Sequence, residues 1–131
     1  SSGSCTCSPK SPASATGSWV TNVTIRHNTM NNNLGPSNVQ IAWQSSNTDV
    51  YGNIMVKPGA NRSAVTAFQL TGTGNQVHDN LYWDAVRAAD TGVSGLTVGT
   101  NLNTNPQLTG TGPDLHATNP TATHYGHTAT Q

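Results

Sequence analysis

The sequence predicts an all-β solenoid of about four coils, with a repeat of about 25–27 residues per coil. The first observation is a column of regularly spaced asparagines, with steps of 25, 27 and 25 residues: Asn28, Asn53, Asn80 and Asn105. The second is an aliphatic residue three positions before each of them: Ile25, Val50, Val77 and Leu102. The third is a set of short alternating segments between the asparagines. A fixed period of this size is typical of stacked coils that bury a continuous core.

The chain divides into three parts in order. Residues 1–18 are rich in Ser, Thr, Pro and Gly, which predicts a flexible N-terminal segment. Residues 19–122 carry the repeats and a closing segment, and residues 123–131 are predicted to be a tail. Cys5 and Cys7 are too close in sequence for an unstrained bridge to each other. An exposed pair, a bridge to a missing part of the chain and a bridge to a partner all stay open.

Two kinds of strand are predicted in each coil. Val23 and Ile25 alternate with polar neighbours, which is the period of a half-buried strand. A second strand type contains Ile41 and Trp43, and alternation places Trp43 in the core. Similar residues follow at steps of 27 and 28, which predicts two further apolar columns: Ile41, Phe68 and Leu96, and Trp43, Leu70 and Val98.

Asparagine is rare inside ordinary strands, so its fixed place in the repeat needs a reason. An inward asparagine at a bend can hydrogen-bond the next asparagine and nearby backbone groups along the stack. Turns are predicted at residues 57–62 and 85–92. Three prolines at 106, 113 and 120 would interrupt a regular ladder, so residues 105–122 are predicted to close the domain.

Composition argues against two classes of partner. The formal net charge is +0 and no basic patch occurs, so the sequence gives no electrostatic support for nucleic-acid binding. No apolar run reaches the roughly 20 residues that a membrane-spanning helix needs. The sequence therefore predicts neither a nucleic-acid partner nor a membrane partner.

Three features resemble right-handed parallel β-helix proteins of the pectate-lyase-like superfamily. They are the repeated aliphatic-x-x-Asn ladder, the phrase Asp79-Asn80-Leu81-Tyr82-Trp83, and the closing motifs around Asn105-Pro106, Asp114-Leu115-His116 and Asn119-Pro120. The resemblance covers residues 19–122 and implies a right-handed coil. It also implies a secreted, carbohydrate-active protein whose polysaccharide lies in a groove along the stacked strands. A polysaccharide lyase is favoured over a glycoside hydrolase.

Proteins of this family commonly have about ten coils, and this sequence shows about four. The resemblance therefore implies that the chain is the C-terminal part of a larger protein. The N-terminal edge of the stack would otherwise be an open sheet edge. The missing N-terminal coils or another chain are the partners expected at that edge.

The outward columns predict a candidate catalytic site of four residues: Arg26, Tyr51, His78 and Asp49. An arginine can neutralise a uronate carboxylate, and Tyr or His can act as acid or base. The sequence shows no metal-ligand cluster, but an aspartate such as Asp49 can hold a Ca²⁺ ion that polarises the uronate. Four turn residues are candidates for substrate binding: Lys57, Arg62, Arg87 and Trp83.

Alternative interpretations stay open at this point. Asp49 and Asp79 lie on adjacent predicted coils, so a hydrolase pair of carboxylates could form. A non-catalytic structural, adhesion or assembly module fits the scarcity of charge and the short stack. The candidate site residues would then be long polar side chains on a solvated strand face.

Overall fold

The structure, a computed structural model, describes residues 5–7, 21–31, 37–58 and 62–127. Parallel strands stack coil upon coil in three sheets, so the fold is a parallel β-helix of about four coils, as the asparagine spacing predicts. No helix among the described residues is long and apolar enough to cross a membrane.

Each sheet takes one strand from each successive coil. The first sheet contains β1 (Cys5–Cys7), β4 (Val39–Ala42), β7 (Ser63–Phe68) and β10 (Arg87–Ala89). The second contains β2 (Thr24–Arg26), β5 (Asp49–Tyr51), β8 (Asn75–His78) and β11 (Leu96–Val98). The third contains β3 (Thr29–Asn31), β6 (Ile54–Val56), β9 (Leu81–Trp83) and β12 (Leu102–Asn103). A short antiparallel pair follows, β13 (Leu108–Thr109) with β14 (His116–Ala117).

The register of the second sheet is the one that the sequence predicts for the first three coils. Ile25 pairs with Val50 and Val50 with Val77, and all three are buried. Their side chains form the core together with inward residues of the other sheets, such as Ile41 and Met55. Because side chains alternate along a strand, the residues on either side of this column point outward.

The asparagine ladder is confirmed for its first three members. Asn53 is fully buried, and its Nδ2 donates to the carbonyl of Ile25 at 2.9 Å and to Oδ1 of Asn80 at 2.9 Å. Its Oδ1 accepts a hydrogen bond from the backbone N–H of Asn28 at 3.0 Å. The ladder therefore satisfies buried backbone groups at a bend where the strand pairing stops.

The fourth member of the ladder is a correction. Asn80 donates to Oδ1 of Asn101, not to Asn105, and Val98 stacks on Val77 where the sequence analysis placed Leu102. Val98 to Asn101 and Leu102 to Asn105 both read aliphatic-x-x-Asn, and the steady spacing favoured the wrong one. The last coil is shorter because only 21 residues separate Asn80 from Asn101.

The second apolar ladder is also corrected. β11 (Leu96–Val98) pairs with β8, so Leu96 and Val98 belong to the second sheet and not to the column of Ile41. Ile41 pairs with Ala67 instead of Phe68. Trp43 was predicted in the core, but it has a positive φ of 56° at the corner after β4 and packs edge to face on the exposed ring of Phe68.

The end of the chain packs on the outer face of the third sheet. Ala122 and Tyr125 contact the apolar cluster of Ile54, Val56 and Leu81. The N–H of Gly126 donates to the carbonyl of Gly52 at 2.8 Å. The prediction of a tail from residue 123 is therefore wrong for residues 123–127. These residues pack on the third sheet because the contact removes its apolar outer face from water. Residues 128–131 lie outside the described residues.

The N-terminal segment contains one strand. β1 (Cys5–Cys7) pairs in parallel with β4, where the sequence analysis predicted flexible chain. This pairing occupies the edge of β4 that no other described strand covers. The rest of the predicted flexible segment lies outside the described residues, and the structure does not describe the side chains of Cys5 and Cys7, so the three cysteine alternatives stay open.

Candidate functional site

A column of long polar side chains follows the outer face of the second sheet. Arg26 pairs with Tyr51, and Tyr51 pairs with His78, at equivalent positions of three successive coils. Each comes directly after a buried aliphatic residue, so strand alternation turns it outward. The structure thus brings Arg26, Tyr51 and His78 together as predicted, and Asp49 lies beside His78.

The three side chains of the column touch one another. The rings of Tyr51 and His78 stack, with centroids 5.5 Å apart and an interplanar angle of 17°. Nη1 of Arg26 donates to the phenolic oxygen of Tyr51 at 3.4 Å. The rings of His27 and Tyr51 pack in a T-shaped arrangement, with centroids 6.0 Å apart. These contacts hold the phenol oxygen close to a guanidinium group.

His78 lies between two carboxylates. Its Nε2 is 2.7 Å from Oδ1 of Asp49, and its Nδ1 is 2.6 Å from Oδ2 of Asp79. Carboxylates accept hydrogen bonds and do not donate them when ionised, so both ring nitrogens must carry protons to satisfy both partners. The geometry therefore favours the imidazolium form of His78.

The pKa of His78 is raised above its ordinary value of 6.5. The largest cause is the hydrogen bond to Asp79, followed by the hydrogen bond to Asp49 and the negative charges of both groups, while partial burial opposes them. Asp49 comes from the second coil and His78 from the third, so protonation of His78 ties two coils together.

We expect the stability of the protein to fall with rising pH through the titration of His78. Because the folded-state pKa of His78 lies above 6.5, its stabilising contribution is complete below the unfolded-state pKa. That contribution is lost as the pH rises through the folded-state pKa. The measurement is the unfolding temperature of wild type and His78→Gln between about pH 6 and 9. The difference between them should shrink as pH rises, and a pH-independent difference would contradict this role of His78.

A cleft of about 350 Å³ opens beside the column. Its lining is made of Arg26, His27, Tyr51, Gly52, Asp79, His124 and Tyr125. Gly52 has a φ of 69°, and a Cβ at this position would lie 2.8 Å from the His27 ring, so any other residue would strain the backbone and displace that ring. The C-terminal segment thus supplies one wall of the cleft, at residues that the sequence analysis placed in a tail.

Asp79 and the C-terminal wall are the site residues to which sequence reasoning gave no role at this column. Asp79 follows β8 with a φ of 53°, and this left-handed bend turns its carboxylate back to the preceding histidine. A His-Asp pair just before the ladder asparagine is the signal in the sequence that could have identified it.

The four predicted substrate-binding residues do not lie together. Arg62 and Arg87 line a groove on the first sheet. Trp83 ends β9 in the third sheet with 38% of its surface exposed, and Lys57 directly follows β6 of the same sheet. One sugar chain in contact with the column of Arg26, Tyr51 and His78 would run on a different sheet from all four.

The aspartates at the site do not fit a calcium ion. Calcium takes six to eight oxygen ligands, whereas Asp49 and Asp79 each direct one oxygen to the imidazole of His78. Among the residues that the structure describes, no group of three or more His, Cys, Asp or Glu side chains is arranged to hold a metal ion.

The arrangement combines positive charge with a proton-transfer group. Arg26 is permanently cationic, whereas the carboxylates of Asp49 and Asp79 offset the charge of His78, so Arg26 is the cation that an anionic ligand would meet. An anionic group that enters the cleft would meet the guanidinium of Arg26 and the phenol of Tyr51 within one coil step. Such a pair can bind a carboxylate and move a proton next to it.

Comparisons of the chain with protein-family models, with curated proteins and with solved structures gave no match.

Proposed function

We propose that this chain acts on an acidic polysaccharide outside the cell as a polysaccharide lyase, or forms the C-terminal part of one. The observation that carries the proposal is the contact between Arg26, Tyr51 and the ring of His78 on one outer face. The β-helix architecture and the resemblance to pectate-lyase-like proteins support the same proposed activity. The fold by itself does not fix an activity.

The proposed reaction is β-elimination on a uronate sugar. Arg26 pairs with the carboxylate of the uronate and stabilises the negative charge that develops when C5 loses its proton. Tyr51, 3.4 Å from Arg26, is the acid–base group at C5 and at the leaving oxygen. The Tyr51 oxygen, as phenolate, removes the C5 proton, and the electrons of the C5–H bond form the new C4–C5 double bond. The C4–O bond breaks, its electron pair stays on the leaving oxygen, and that oxygen takes the proton from Tyr51.

His78 is a positioning residue in this scheme. The His78 ring stacks on the Tyr51 ring. Asp49 and Asp79 fix the orientation of the imidazole through its two nitrogens. Because each of these carboxylates binds the imidazole, neither is placed like the acid and base of a hydrolase, which face a sugar bond between them. This observation favours elimination over hydrolysis.

We expect Tyr51→Phe to lower the rate of unsaturated-product formation on a polyuronide by about 100-fold or more, since a positioned acid–base group contributes that much. Arg26→Ala should lower the rate and raise KM, because it removes the partner of the substrate carboxylate. The measurement is the ultraviolet absorbance of the unsaturated sugar produced, with kcat and KM determined for each variant.

Gln76→Ala is the matched control. Gln76 is exposed on β8, in the same sheet, and it lies two residues from His78 in the neighbouring outward column. We expect this variant to keep wild-type rates. Equal activity of Tyr51→Phe and Gln76→Ala would contradict the assignment of Tyr51.

A further inference from the structure

A second groove crosses the outer face of the first sheet, away from the column of Arg26, Tyr51 and His78. Its lining includes Gln40, Arg62, Thr66, Phe68, Arg87 and Asp90. Its volume is about 440 Å³, within the range of about 300–1,000 Å³ that is usual for small-molecule sites. We propose that this groove binds the anionic group of an acidic sugar and stacks the sugar ring on Phe68.

A fixed polar network forms the floor of the groove. Ser63 Oγ donates to Oδ1 of Asp90 at 2.8 Å, and the N–H of Ala67 donates to Oδ2 of Asp90 at 3.0 Å. Nη1 of Arg87 donates to the same Ser63 oxygen at 3.1 Å. Both carboxylate oxygens therefore have donors, and the serine hydroxyl links Asp90 to Arg87 and holds the guanidinium in place.

The charge of the groove suits an anion. Two guanidinium groups, Arg62 and Arg87, stand against the single carboxylate of Asp90, which gives a formal charge of 2 − 1 = +1. A guanidinium has five N–H donors in a planar fork, and Ser63 takes one from Arg87. The donors that are left match the planar geometry of a carboxylate, which a guanidinium can bind through two parallel hydrogen bonds.

The exposed side chain of Phe68 favours a sugar over a simple inorganic anion as the ligand of the groove. Phe68 is 45% exposed at the end of β7, although a large apolar side chain gains free energy by burial. Trp43 holds the ring edge to face at 5.4 Å between centroids and 88° between planes. A rigid aromatic face beside two cations can pack on the apolar C–H face of a sugar while its acidic group reaches the arginines.

The test is an amide NMR titration of the whole chain with a galacturonate trisaccharide. We expect shifts at Ala67 and Phe68 that saturate, and about tenfold weaker binding at these amides in Arg62→Gln, which removes an exposed cation. The neutral maltotriose is the probe for charge, and it should leave both amides unshifted. A sulfated disaccharide that binds equally would identify the shared anionic group, and not the carboxylate, as the ligand feature.

Three results would overturn the proposal. They are unshifted amides at Ala67 and Phe68, equal binding of maltotriose, and unchanged affinity in both Arg62→Gln and Phe68→Ser. The NMR titration is independent of the lyase assay. Loss of product formation in Tyr51→Phe, with no amide shifts at the first sheet, would support the lyase and reject binding in this groove. Shifts at the first sheet in a chain that forms no product would support the groove and reject the lyase.

Discussion

Asn53→Leu is expected to lower the free energy of unfolding by about 3 kcal/mol or more. Leucine has a similar size, but it leaves the N–H of Asn28 and the carbonyls of Ile25 and Tyr51 without their side-chain partner. Each buried polar group that loses its partner costs about 1–3 kcal/mol. Denaturant unfolding of wild type and variant measures the difference.

Asn105→Leu is the control for this prediction. Asn105 is exposed, and its side chain accepts only a local hydrogen bond from the N–H of Gln107 among the described residues, so a loss of about 1 kcal/mol or less is expected. The pair also tests the register, since Asn105 has the spacing of a ladder residue but lies outside the ladder. Equal destabilisation by both substitutions would contradict the ladder that ends at Asn101.

Gly72→Ala is expected to destabilise the stack by about 3 kcal/mol, at the upper end of the usual cost of overpacking. A Cβ at this position would lie 1.8 Å from the backbone carbonyl oxygen of Ser45 in the preceding coil. Backbone atoms cannot rotate away as a side chain can, so two coils would have to separate locally. The unfolding temperature of the variant measures the effect.

Gly92→Ala is the control that separates the steric clash at Gly72 from the general effect of replacing a glycine. Gly92 has a φ of 70° but no atom within 4 Å of a built Cβ, so its substitution should cost only about 1–2 kcal/mol of backbone strain. The structure predicts that Gly72→Ala is clearly the more harmful change. A smaller effect of Gly72→Ala than of Gly92→Ala would mean that the two coils do not approach as closely as described.

The first three coils could be predicted from sequence because two kinds of residue repeat together. Ile25, Val50 and Val77 each precede a ladder asparagine by three residues, and the aliphatic column is buried together with Asn53 and Asn80. The last coil could not be predicted in the same way. Two aliphatic-x-x-Asn segments follow one another there, and the choice depends on turn length, which composition does not reveal.

The first sheet was harder to predict for a physical reason. Its last strand is the short segment Arg87–Ala89, whose alanines carry no strong apolar signal. The alternation in Leu96–Val98 was more visible but belongs to the second sheet. Local alternation shows that a strand exists, whereas its sheet is decided by the lengths of the corners on either side.

The column of Arg26, Tyr51 and His78 was accessible to sequence reasoning because outward residues stack whenever inward ones do. The Asp79 contact and the wall made by Tyr125 were not, since each depends on chain direction after a strand ends. The separation of Arg62 and Arg87 from the column likewise required the structure, which places them on another sheet.

The most direct test of the proposed function is product formation by wild type on a polyuronide, followed by ultraviolet absorbance and by new reducing ends in the same sample. A lyase produces one unsaturated end for each new reducing end, so the two signals should rise together. Reducing ends without absorbance would contradict elimination and indicate hydrolysis. No product from any polyuronide or neutral glycan would contradict a catalytic role for the column of Arg26, Tyr51 and His78.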